Sequence, residues 1–199
     1  DTEITDSVTY YAHWKVEITF DANGGTGGKT VTQDYGTALS APTVTRVGYT
    51  FNGWSPAVPA TVPAGGAIYT AQWKVNQYAV AFDANGGEGS ITNEQDYASE
   101  IVPPEVSRTG YSFVGWSPEV GTTVPASNLV YTAQWSVNQY TATFDANGGS
   151  GGKAVTQNYG TELVAPSVTR TGYTFAGWSP VVPTTISADD VTYTAQWRV

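Results

Sequence analysis

The sequence predicts a mainly β protein: a tandem array of three small modules, each with at most a short helical turn, arranged as an elongated rod. Three observations carry this expectation. FDANGG begins at Phe20, Phe82 and Phe144, and Gly-Trp falls at Gly53-Trp54, Gly115-Trp116 and Gly177-Trp178, so both motifs recur every 62 residues. Within each copy, alternating runs rich in β-branched and aromatic residues are punctuated by Asn-Gly, Gly and Pro, the pattern of short strands and turns. No Gly/Ser-rich linker separates the copies, because Trp73 continues through Lys74-Val75-Asn76-Gln77-Tyr78 straight into the next strand. Such direct connections favour restricted hinges at Asn76-Gln77 and Asn138-Gln139 over beads on a string. The copies divide as 15–75 for repeat 1, 76–137 for repeat 2 and 138–199 for repeat 3. Residues 1–14 are expected to be the tail of a preceding repeat, since ITDSVTYYAHW at 4–14 resembles ISADDVTYTAQW at 186–197. The chain therefore reads as a fragment of a longer array.

The elements of one unit follow in order. VEITF alternates up to Phe20 and turns at Asn23-Gly24, whose residue types supply the positive φ angles of a tight hairpin. A second strand is expected through KTVTQDYG. Pro42 then opens APTVTRVGYTF, which has room for one helical turn before Gly48. YTFNGW is a further strand, SPAVPATVPAGG a Pro-rich solvated connector, and IYTAQW the last strand. Seven aromatic positions, those of Phe20, Tyr35, Tyr49, Phe51, Trp54, Tyr69 and Trp73, recur in every copy and take 21 of the 26 aromatic residues. They are the expected core of each unit. In the first copy Trp14, Val16, Ile18 and Phe20 share one parity, which places Trp14 on the buried side of its strand.

The run GGTGGKT at 24–30 raises the question of a phosphate-binding loop. Gly24 stands one residue too close to Gly28-Lys29-Thr30, and β-branched residues follow where that loop needs a helix. The other copies read GGEGSIT and GGSGGKA, losing the lysine and the hydroxyl in turn. No cofactor is expected. The chain has no Cys and a single His at 13, which excludes disulfides, zinc-thiolate sites and a repeated Ser-His-Asp arrangement. A formal net charge of −9 opposes nucleic acid and anionic membranes, and no apolar run is long enough to cross a bilayer as a helix. The one acid common to all copies is Asp21, Asp83 or Asp145, and the one such cation is Arg46, Arg108 or Arg170. One recurring carboxylate supports neither general acid-base hydrolysis nor a calcium cage, so no catalytic, cofactor-binding or metal residue is assigned. The Asp is expected to bind its own turn and the Arg to pack or pair at the surface.

The Y-x-V-x-F-D-A-N-G-G run, then APxxTRxGYTFxGW, then YTAQW resembles the Listeria–Bacteroides repeat, the family of the internalin B-repeat in bacterial surface proteins. The likeness spans nearly the whole chain three times, with GYSFVGW in the second copy as a modest departure. The resemblance implies a β-grasp-like module, arrayed between a cell-wall anchor and a distal adhesive domain on the bacterial surface. It carries over no catalytic residue. A non-catalytic extracellular stalk is the resulting expectation, with neighbouring repeats of the same chain as partners. A weak adhesion module that binds a host-surface protein or glycan is the alternative; a spacer calls for no shared polar pocket, a binder for exposed aromatic rings.

Overall fold

The structure is a computed structural model, and it describes residues 12–199. The expected tail at 1–14 lies mostly outside the described residues. Twelve strands follow in order: β1 Lys15–Asp21, β2 Lys29–Asp34, β3 Tyr49–Ser55, β4 Ala67–Val75, β5 Gln77–Asp83, β6 Ile91–Asp96, β7 Tyr111–Ser117, β8 Leu129–Val137, β9 Gln139–Asp145, β10 Lys153–Asn158, β11 Thr174–Ser179 and β12 Val191–Arg198. No described residue is helical. The strands form three four-stranded sheets, ordered β2-β1-β4-β3, β6-β5-β8-β7 and β10-β9-β12-β11. In each, the central pair is parallel: β1 with β4 from Ile18↔Ala67 to Asp21↔Thr70, and likewise β5 with β8 and β9 with β12.

The chain divides into two compact units. The first comprises Asp1–Tyr78 with Glu94–Glu100 and Thr123–Asn128, and holds the sheet β2-β1-β4-β3. Alternation along β1 drives Val16, Ile18 and Phe20 inward, where they meet Tyr69 of β4 and Val62. Two extended segments, rather than a helix, cover this face. Leu39 N–H donates to the Ala60 carbonyl at 2.9 Å and Val62 N–H to the Thr37 carbonyl at 2.9 Å, so residues 36–39 and 60–62 pair with each other. The Pro-rich stretch is exposed along most of its length, as its composition predicts, but it also turns apolar side chains inward. Val62 is only 2% exposed, and Val58 also packs on the core. Pro lacks the N–H, but Val58 and Val62 between the prolines supply apolar surface and Val62 also a donor.

The second unit comprises Ala79–Asn93, Ile101–Thr122 and Leu129–Val199. Its sheet β10-β9-β12-β11 encloses Ala142, Phe144, Leu163, Ile186 and Tyr193, the positions that correspond to the first core. Ala142 stands where β1 has Ile18, and Leu163 is fully enclosed where Leu39 is half-buried.

Every YTFxGW strand carries a β-bulge. Phe51 pairs with Trp73 and Trp54 with Ala71, so Asn52 and Gly53 together oppose Gln72. The extra residue places side chains three apart on one face of the strand. Phe51 and Trp54 therefore touch, with ring centroids 5.4 Å apart and planes at 64°, while Trp54 reaches Phe20 at 5.2 Å. The same pairs recur as Phe113–Trp116 and Phe175–Trp178.

Candidate functional site at the repeat junctions

The D-A-N-G-G loop is built as a clamp on its own sheet. Asn23 and Gly24 both have positive φ, 48° and 79°, and Gly25 N–H donates to the Ala22 carbonyl at 3.0 Å, closing the turn. Asp21 Oδ1 accepts the Asn23 N–H at 2.8 Å, and the Asn23 amide donates to the Ala71 carbonyl at 3.0 Å. Trp73 Nε1 donates to the Ala22 carbonyl at 3.0 Å. Each motif residue therefore has a structural task within the repeat. The turn does not close the hairpin directly, as a two-residue loop would, because residues 26–28 first cross to a neighbouring segment. Thr26 bridges Thr45, and a side chain on Gly25 would strike the Thr45 carbonyl and the Trp73 ring. The glycines serve this close approach of chain to chain, a need unrelated to phosphate.

Arg46 joins that clamp to the next structural layer. Its guanidinium donates to the Asn23 carbonyl at 3.2 Å and lies 4.0 Å from the centroid of the Tyr49 ring. Tyr97 also packs against Tyr49 within the first unit, at a centroid distance of 5.8 Å and 75° between planes. A Cβ built on Gly48, whose φ is 77°, would fall inside the Tyr97 ring. Asn76, at the sequence boundary between repeats 1 and 2, is held on three sides. Its N–H donates to the Gly48 carbonyl at 2.9 Å, its carbonyl accepts Tyr97 N–H at 2.8 Å, and its Oδ1 accepts the Thr50 hydroxyl at 2.6 Å. Gln77 adds a side-chain bond to Asp96 Oδ1 at 2.9 Å.

The second unit repeats the arrangement with its own residues. Asn138 N–H donates to the Gly110 carbonyl at 2.9 Å, Tyr159 N–H donates to the Asn138 carbonyl at 2.9 Å, and the Ser112 hydroxyl donates to Asn138 Oδ1 at 2.6 Å. Tyr159 sits over Gly110 and 6.0 Å from Tyr111, which carries Arg108 at 4.1 Å. In both units a polar cleft opens beside the arginine. The first, of about 360 Å³, is lined by Gly24, Gly25, Thr45, Arg46, Tyr49 and Tyr97; its counterpart, of about 400 Å³, includes Arg108, Tyr111 and Tyr159.

Several sequence expectations change at this level. The seven recurring rings do not form one core: Phe20 and Tyr69 are buried, Trp54 and Trp73 are half-buried at its edge, and Phe51 is 39% exposed. Tyr97 and Tyr159 pack on a glycine from the preceding repeat, whereas Tyr35, the same position in the first copy, is 57% exposed. Trp14 is 72% exposed, contrary to its parity. Its carbonyl accepts Tyr35 N–H at 2.8 Å, which aligns Trp14 with Asn76 and Asn138 instead of with the strand-ending tryptophans. The recurring Asp and Arg take the turn and ring contacts described above. Among the described residues no three His, Asp or Glu side chains cluster as a metal site would require, and no helix is long and apolar enough to cross a membrane.

The turn clamp, the bulged GYTFxGW strand and the closing YTAQW strand are thus one structural unit made three times. Comparison with known families agrees, since the profile of the Listeria–Bacteroides repeat domain matches residues 17–71, 78–134 and 140–195. The chain belongs to the Listeria–Bacteroides repeat domain family. Among similar curated proteins, one of Evansella cellulosilytica, provisionally named a membrane protein, is 31% identical over 88% of this chain and 31% of its own length. A second protein of that organism, provisionally named a Gly-rich membrane protein, is 30% identical over 87% of this chain and 23% of its own length. Internalin H of Listeria monocytogenes is 35% identical over 68% of this chain and 26% of its own length. The chain thus spans between 23% and 31% of the length of these relatives.

Proposed function

We propose that this chain is a repeat region of a bacterial surface protein and acts as a non-catalytic extracellular spacer that presents a distal adhesive domain. Family membership supports the repeat region, and the names of the relatives, membrane proteins and an internalin, support the cell surface. The sheet order with its parallel central pair supports a β-grasp-like reading of each module, with paired extended segments in place of the helix. The observation that carries the spacer reading is the bonding of Asn76 and of Asn138 within the units that contain them, because a flexible linker would leave such backbone groups to water. On this reading the repeats are one another's partners and the array is an elongated rod.

Three modules of about sixty residues placed end to end span roughly 80 to 100 Å, against about 45 Å for one compact domain of the full length. Solution scattering should therefore give a long-tailed pair-distance distribution. Inserting Gly-Ser-Gly after Asn76 should widen the range of shapes without unfolding the sheets. A compact distribution, or an insertion without effect, removes the spacer reading.

Two observations favour a second reading, weak adhesion to a host protein or glycan. Phe51, Trp54 and Trp73, with their counterparts in the other repeats, form a partly exposed cluster of rings, and the clefts beside Arg46 and Arg108 are a shared polar feature. Against it, Phe51 meets Trp54 at 64° and Trp73 at 72°, so the rings spend their faces on one another's edges. A sugar ring stacks on an open, flat face. Titration with a panel of glycans separates the readings: loss of a measured affinity on Phe113→Ala would favour adhesion.

A further inference from the structure

The third repeat carries the same acceptor face as the other two, but uncovered. Gly172 has φ of 81°, against 77° for Gly48 and 79° for Gly110, so the three backbones are alike. Gly48 and Gly110 are buried, each beneath a tyrosine that leaves no room for a Cβ. A Cβ on Gly172 would meet nothing within 4 Å, and Gly172 itself is exposed. Arg170 lies 4.1 Å over the Tyr173 ring, as Arg108 does over Tyr111 at 4.1 Å, so the platform is assembled before anything covers it. Tyr173 is 41% exposed, whereas Tyr49 and Tyr111 are half-buried under their tyrosine partners.

We infer that the face formed by Arg170, Gly172 and Tyr173 is a docking site for a further Listeria–Bacteroides repeat, which seats on Gly172 the tyrosine corresponding to Tyr97 and Tyr159. The two occupied copies of this face identify the occupant. In each, the covering ring comes from a repeat that follows in sequence, and an Asn between the two bonds the glycine carbonyl on one side and the tyrosine N–H on the other. The inference rests on these matched contacts and stands whether or not the array serves as a spacer.

The experiment compares the 199-residue chain with two extended chains, in which residues 138–199 or residues 76–199 are copied after Val199. Amide hydrogen exchange is followed for residues 168–175 and for the core strands of the added repeat. Exchange of 168–175 should slow in the extended chains to the rate found for 106–113. Replacing the added tyrosine by Ser should return it to the rate of the unextended chain while the added core stays protected. Unchanged exchange at 168–175 beside a folded added repeat overturns the inference, as does failure of the added repeat to fold in both extended chains. Concentration-dependent protection of 168–175 in the unextended chain would assign the face to a second copy of the molecule, and would equally overturn it.

Discussion

Gly110 and Gly172 have the same residue type, motif and φ, yet only one lies under a ring, and this separates backbone strain from packing. Alanine at either position incurs about 1–2 kcal/mol for a left-handed backbone. At Gly110 the new methyl must also displace Tyr159, which adds about 1–3 kcal/mol of overpacking. Denaturant unfolding should therefore show Gly110→Ala as clearly the more damaging change; equal losses would mean that Tyr159 is not seated in solution. The recurring aspartate invites a second test. Asp83 Oδ1 accepts its own turn's Asn85 N–H at 2.8 Å, the geometry of an Asx turn rather than of a cation cage. Melting in excess chelator and in millimolar calcium should give one midpoint, and a rise of several degrees with calcium would contradict this assignment. The Asp and Arg roles were legible in the sequence because turn chemistry is local. The seating of Tyr97 was not, because Gly48 lies 49 residues away and a ring in EQDYA reads like any core aromatic.

At the scale of the element, the bulge keeps both rings on one face. Deleting Asn52 would leave Gly53 alone opposite Gln72 and put Phe51 and Trp54 two apart, on one face of a simply alternating strand, so that Trp54 still reaches Phe20 and Phe51 still meets Trp73. The first repeat should then keep its near-ultraviolet aromatic circular dichroism and its cooperative unfolding. Loss of both would show that the ring contacts need the bulged backbone itself. Trp116 tests the same packing in the second unit. It lies 4.9 Å from Phe82 and 5.4 Å from Phe113 but is only half-buried, so Trp116→Ala should cost about 3 kcal/mol, the low end of the range for large core rings. The strands themselves were legible from alternation and turn residues, and all four per repeat lie where the pattern puts them. The covering layer was not. Proline-rich chain reads as solvated, and only the pairing of residues 36–39 with 60–62 turns it inward. Trp14 misled for a related reason: parity says which side a residue takes only while the strand continues, and β1 begins at Lys15.

For the whole molecule, the period of 62 residues made three repeats legible before any contact was known, but a period is silent about whether repeats move together. That depends on the junctions. At each, one asparagine bonds through its N–H, its carbonyl and its side chain, and one tyrosine closes over a glycine. Both features come from residues that a flexible linker would not hold in an ordered geometry. The central claim is that the junction residues are held as ordered chain within their units, and nitrogen-15 relaxation along the 199-residue chain tests it most directly. The account predicts Asn76 and Asn138 amides as ordered on the picosecond-to-nanosecond timescale as those of the neighbouring strands. Asn76 and Asn138 amides with the low order of a flexible linker, beside ordered strands, would contradict it.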